Sequence, residues 1–146
     1  MLASAEAWNE YLDAPDERVY NPLDQIRTRA GIAKVRDAWK TYARNPQKVE
    51  TQAGMREIIR QEWNIEFAFE GRRFYNLRRW MTAHEELNSP LYGWNIIGDT
   101  EERFYNNNKE PIIVWRKRSF TAPRDYFFPI GSEEVMISGC VQNPGW

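Results

Sequence analysis

The sequence predicts a mostly α-helical fold in which short helices pair, followed by a loop-rich tail with a little β structure. Three observations lead there. Apolar residues recur at helical spacing as far as residue 88. After Asn88-Ser89-Pro90, Pro, Gly and Asn become frequent and the helical period fades. The only strand-like runs in that tail are short and β-branched or aromatic. At 146 residues the chain is long enough for one domain with a sizeable core. The expectation is a single region over 1–146, helical over 1–88 and loop-rich over 89–146.

The first helix is expected to run to about Asp13, with Leu2, Ala5, Trp8 and Leu12 on one face. It begins abruptly at Met1, in mid-helix, with no capping residue before it. Asn21-Pro22 reads as the next start, asparagine as N-cap and proline at the first helical position. Gly31 is expected to stop that helix. A third helix is predicted over Lys34 to Ala43, ending before Asn45-Pro46. A fourth starts after Thr51–Gly54 and is expected to continue to about Gly71. RRFYNLRRWMTAHEEL then reads as helix up to about Leu87. The paired short helices of the first 45 residues suggest tetratricopeptide-like stacking, although no second copy recurs at a fixed period. In the tail, Ile112 to Trp115 and Tyr126 to Phe128 are predicted strands, and Ser132 to Ile137 a short helical turn.

Composition excludes several classes of function. The net charge of -1 gives no general attraction to nucleic acid or an anionic membrane. One cysteine, Cys140, rules out an internal disulfide framework and a multi-cysteine zinc site. No apolar run reaches the roughly 20 residues of a membrane span, and no secretory signal begins at Met1. With one histidine, His84, no Ser-His-Asp or Cys-His arrangement is suggested, and P-loop and dinucleotide fingerprints are absent. No cofactor, metal or catalytic residue is expected. The aromatic share is 14%, with 7 Trp, 7 Tyr and 7 Phe, and most of these rings are expected to be buried.

The stretch EWNIEFAFEGRRF carries glutamates at 62, 66 and 70. At helical spacing all three fall within the apolar arc formed by Met55, Ile58, Ile59, Trp63, Ile65, Phe67 and Phe69. A buried, unpaired carboxylate would cost ~3–5 kcal/mol, so a cation must meet each one. Arg72, Arg73, Arg78 and Arg79 follow at once, and Arg27 and Arg29 lie on an earlier helix. Arginine suits the task because its planar fork grips a carboxylate at two points and stays charged. Glu62, Glu66 and Glu70 with Arg73 and Arg78 are therefore read as a structural ion network. Catalytic use as a glycosidase pair fits less well. The row stands on one helix instead of flanking a cleft, and neighbouring arginines would hold its pKa values down. A di-metal carboxylate site would want a nearby E-x-x-H, which is missing. The interleaved RRFYNLRRW resembles a grip for single-stranded nucleic acid, but it follows an acidic row of matching size.

EFAFEGRRFYNLRRW, followed in order by YFFPIGSEEV and the terminal QNPGW, closely resembles the C-terminal region of the SusD/RagB family. AEAWNEYLDAPD and PLDQIRTRAGI look like that family's last helix pair, so the likeness covers nearly the whole chain. The resemblance implies a non-catalytic nutrient-binding protein, with a glycan as the usual ligand. It further implies a partner, a SusC-like TonB-dependent transporter, and a lipid-anchored position on the outer-membrane surface. This chain carries no targeting signal of its own. Two positions depart from the family pattern. Asn76 stands where the motif usually has Asp, and Cys140 where an aliphatic residue is common, which suggests a buried inert thiol.

The shared motifs look structural and nominate no ligand contact. Candidates come instead from SPLYGWN: Trp94 beside Gly93, and Tyr92, with Trp115 in IIVWRKR as a third. Trp146 is expected to plug the helical core. The alternative is a structural or interaction segment with no ligand site of its own. Self-association through apolar surface is a further expectation.

Overall fold

The computed structural model describes residues 1–115 and 118–146. Among these residues the regular structure is eight α-helices, two 3₁₀ turns and one two-stranded sheet, so the fold is mostly α. The chain divides into two units, Met1–Arg73 and Phe74–Trp146. The compositional change at residue 88 thus falls inside the second unit.

In the first unit, α1 (Leu2–Tyr11) buries Leu2, Ala5 and Asn9 and packs on α2 and α4. Helix α2 spans Glu17–Arg29 and starts one turn before the predicted Asn21. Asp16 supplies the cap, its carboxylate accepting from Arg18 N at 2.8 Å. Pro22 therefore sits inside the helix, where its missing N–H and ring cost roughly 3 kcal/mol. Burial of Val19 and Tyr20 in the added turn offsets that, at about 1.5–3 kcal/mol for each large apolar side chain. The Tyr20 hydroxyl also donates to Val49 O at 2.9 Å. The helix ends as expected at Gly31: Gly31 N bonds Thr28 O and Ile32 N bonds Arg27 O, a Schellman closure.

Helix α3 (Val35–Tyr42) is capped from outside, by Asp24 of α2, whose carboxylate accepts from the buried Val35 N at 2.8 Å. A 3₁₀ turn over Pro46–Glu50 leads into α4, Gln52–Glu66. Leu23, Met55, Ile59, Val19, Val35 and Val49 are fully buried and form the centre of this unit. Helix α4 stops a turn earlier than the predicted Gly71. Phe67 leaves helical geometry and Phe69 takes φ 65. Ile65 and Phe69, placed by periodicity on the apolar arc, are consequently exposed.

An ion pair ties α1 to α4. Arg56 grips Glu10 at two points, Nε to Oε1 at 2.7 Å and Nη2 to Oε2 at 2.6 Å. The hydrogen bond from Arg56 is the main reason the Glu10 carboxyl is held below the usual carboxylate range. A lowered folded-state pKa stabilises the fold above the unfolded value of about 4.3, and that share is lost as pH falls through the folded value. The pair is a third or more exposed, so its worth is under about 1 kcal/mol. Arg56→Met is expected to flatten the loss of stability between about pH 5 and pH 3 in urea titrations. An unchanged slope would show that the bridge carries none of it.

In the second unit the predicted single helix is broken. Helix α5 (Arg72–Arg79, beginning just before the boundary) ends at Met81, whose φ is 58, and α6 covers only Ala83–Glu86. A small core gathers Leu77, Ala83, Phe120 and Tyr126, with Trp80 and Leu87 against it. Strand β1 (Leu91–Gly93) pairs antiparallel with β2 (Ile112–Trp115). Between them lies α7, Glu101–Phe104. β1 and α7 were not anticipated. The predicted strand at Tyr126 to Phe128 is absent: Arg124–Tyr126 is a 3₁₀ turn, and the buried Tyr126 ring stacks edge-on against Phe120 at 4.8 Å. Helix α8 (Ser132–Ser138) lies where a helical turn was predicted.

Candidate functional site

Three exposed aromatic side chains of the second unit, Tyr92, Trp94 and Trp115, lie on or beside β1 and β2. Tyr92 stands opposite Ile113, and Leu91 opposite Trp115, with an irregularity in register between Leu91 and Tyr92. An extra residue on the β2 side, Val114, accounts for that shift and bends the ribbon. Tyr92 is 62% exposed and Trp115 58%.

Trp94, just past β1, meets Tyr105 edge to face, with centroids 5.5 Å apart and planes at 74°. Tyr105 in turn stands against Phe104 at 4.9 Å. Local bonds hold this corner in place. Asn95 N donates to Phe104 O at 3.1 Å, and Gly98 N to Asn95 O at 2.9 Å. A Cβ at Gly98 would lie 2.6 Å from Phe104 N, so only glycine lets the two backbones approach this closely. Thr100 caps α7 by accepting from Arg103 N at 3.2 Å. Asn106, Asn107 and Asn108 then take φ of 50, 55 and 58, a left-handed run that asparagine tolerates better than most residues. Arg103 and Asp99 form a 2.9 Å ion pair beside the corner in sequence. Sequence reasoning named Trp94 and Tyr92 but missed Tyr105, because α7 is one turn long and leaves no periodic signal.

The glutamate row lies in the first unit and is divided by geometry. Arg27 Nη1 meets Glu62 Oε1 at 2.5 Å, and the two side chains are only 14% and 11% exposed. Arg29 pairs with Glu66, largely in solvent. Glu70 lies beyond the end of α4 in an exposed turn, and Arg73 is exposed in the first turn of α5. Arg78 belongs to the second unit, where it donates to Tyr126 O and stacks 4.1 Å over Phe128. The cations that meet Glu62 and Glu66 thus come from α2 across the bundle, because Phe67 ends α4 before the RRFYNLRR arginines can align with the row. Asn76 is buried and accepts from Arg79 Nε at 2.9 Å.

Two smaller expectations change, at Cys140 and Trp146. Cys140 is half-buried, not enclosed. Trp146 is 50% exposed and fastens the 124–127 turn instead of the helical core, its indole donating to Arg124 O and Phe127 O. His84 is a surface residue, yet its Nδ1 lies 2.7 Å from the Tyr126 hydroxyl. Among the described residues, no cluster of three or more His, Cys, Asp or Glu side chains has a metal-holding arrangement. Nor is any helix there long and apolar enough to cross a membrane.

The model of the SusD family matches residues 1–146, the whole chain. The chain belongs to the SusD family. A SusD-like protein P2 of Formosa agariphila is 26% identical over 148 residues. That alignment covers 100% of this chain and 24% of the relative, so this SusD-family chain spans about a quarter of the length of the curated relative it matches.

Proposed function

We propose that this SusD-family chain is part of a non-catalytic nutrient-binding protein whose ligand is a glycan. In this reading Trp94 and Tyr92, joined by Tyr105, supply part of the stacking surface. The observation that carries it is the exposed Trp94–Tyr105 corner, held by backbone bonds and a close glycine contact, not by a core. Rigid aromatic faces rimmed by polar side chains suit sugars, whose ring faces present C–H groups while hydroxyls point outward. Family membership supports the same reading. The whole protein would then sit lipid-anchored on the outer-membrane surface and pass its ligand to a SusC-like TonB-dependent transporter.

Calorimetric or NMR titration of the 146-residue chain with a panel of neutral oligosaccharides tests this. Binding at about millimolar Kd, weakened at least about tenfold in Trp94→Ala, is expected; tenfold corresponds to ~1.4 kcal/mol. A folded chain that binds none of the panel would favour the second reading, a structural or interaction segment. That alternative draws on the open apolar side chains of the same region, Ile96 at 86% and Ile97 at 89% exposure.

A further inference from the structure

The first unit carries a second open pair of aromatic rings. Trp8 and Tyr11, one turn apart on α1, meet edge to face with centroids 5.9 Å apart and planes at 76°. Tyr11 is 78% exposed, so its ring is not part of the core. The guanidinium of Arg18 lies 4.5 Å over the Trp8 ring. Asp16 fixes its plane, accepting from Arg18 Nε at 3.0 Å and Nη2 at 2.6 Å. Ala7, Trp8, Tyr11 and Arg18 line a cleft of about 450 Å³.

We propose that this cleft is a second sugar-stacking corner, taking a neutral pyranose with vicinal hydroxyls. The proposal rests on the glycan reading above for its ligand class, and on separate residues for its site. The Trp8 face under Arg18 is occupied, which leaves the Tyr11 ring as the platform for the C–H face of a sugar. The Arg18–Asp16 pair supplies what the hydroxyls need. The bonds to Asp16 use Nε and Nη2, so Nη1 keeps two donors, and the two carboxylate oxygens keep acceptor capacity beside them. Donor and acceptor held side by side match a vicinal diol, which both gives and receives hydrogen bonds. The pair is internally neutral, and so favours an uncharged glycan over a sulfated or uronic one.

The same set of parts recurs in the other unit. There Trp94 and Tyr105 stand at 5.5 Å and 74°, with the Arg103–Asp99 pair nearby in sequence. A helix-packing motif would bury its rings; both of these tyrosines are open, at 78% and 39% exposure.

The experiment follows the indole N–H signals of the seven tryptophans by NMR, assigned through single Trp→Phe variants. The 146-residue chain is titrated with four neutral hexasaccharides: α-1,4-glucan, β-1,4-glucan, β-1,4-xylan and β-1,4-mannan. The expected result is a saturable shift of Trp8 with at least one of them, weakened about tenfold in Tyr11→Ala and in Arg18→Met, with the Trp94 titration unchanged. Because Tyr11 is open to solvent, Tyr11→Ala should keep the helical circular dichroism of the parent. A Trp8 signal that stays still with all four sugars, or one that titrates equally well in Tyr11→Ala, overturns the second corner. Movement of Trp94 alone would therefore overturn this proposal and keep the ribbon reading. Movement of Trp8 alone would do the reverse.

Discussion

Glu62→Leu is expected to lower the unfolding free energy by about 3 kcal/mol, because it strands the Arg27 charge in a site from which water is nearly excluded. Arg27 is 14% exposed and Glu62 11%, which places the cost at the lower end of the ~3–5 kcal/mol seen when one partner of a buried pair is removed. Arg27 has one other bond to fall back on, from Nε to Ala33 O at 2.7 Å, and a carbonyl does not neutralise a cation. The double variant Arg27→Met/Glu62→Leu should recover most of the loss, since an apolar pair of similar volume often matches a buried ion pair. Glu66→Leu is the contrast: its partner Arg29 is 63% exposed, so the change should stay below about 1 kcal/mol. Urea midpoints for the three variants decide the matter. Equal effects at positions 62 and 66 would show that burial does not set the strength of these pairs.

Gly54→Ala should cost a similar amount, about 3 kcal/mol, at the upper end of the usual range for overpacking. A Cβ there would stand 2.0 Å from Lys48 O and 2.8 Å from Thr51 Oγ1. The first of these is a backbone atom and cannot rotate aside. Relief requires the Pro46–Glu50 turn to move, and that turn carries the fully buried Val49 and accepts the Tyr20 hydroxyl bond. Thr51, which caps α4 through Gly54 N at 3.1 Å, would be displaced as well. Gly31→Ala serves as control, because its Cβ meets nothing within 4 Å and only the left-handed φ of 72 is strained. That strain is worth roughly 1–2 kcal/mol. If the two alanines cost the same, the close approach at Gly54 is softer than its geometry indicates.

Much of the helical part was legible because its signals are local. Helical period, Asn45-Pro46 and Gly31 mark α1, α3 and the end of α2, and each of these is where the sequence placed it. The failures trace to longer-range terms. Asn21-Pro22 is a sound start signal, but Asp16 caps a turn earlier and the burial of Val19 and Tyr20 outweighs the proline. The extents of α4 and α5 were misjudged because Phe69 and Met81 are non-glycine residues with positive φ, which no propensity scale anticipates. In the glutamate row, Glu62 and Glu66 meet arginines, while Glu70 lies in an exposed turn. Arg27 and Arg29 were named among the candidate cations, but the network was assigned to Arg73 and Arg78. The actual partners approach from a helix about 35 positions away, and periodicity cannot choose between near and distant arginines. At the aromatic corner, Trp94 was visible as a ring beside a glycine; Tyr105 was not, since its approach depends on the Gly98 contact.

Two amide side chains in the second unit behave as one-residue strands. Asn88 accepts from Phe120 N at 2.7 Å and donates to Phe120 O at 2.9 Å. Gln142 does the same for Ile130, at 2.9 Å and 2.8 Å. In the language of hydrogen exchange, Phe120 and Ile130 should therefore be islands of slow amide exchange within stretches that contain no ladder. Each opens only when its clasp lets go. Their exchange rates would report the release of a single side chain, so the loop-rich half of this chain carries its own built-in probes of local opening.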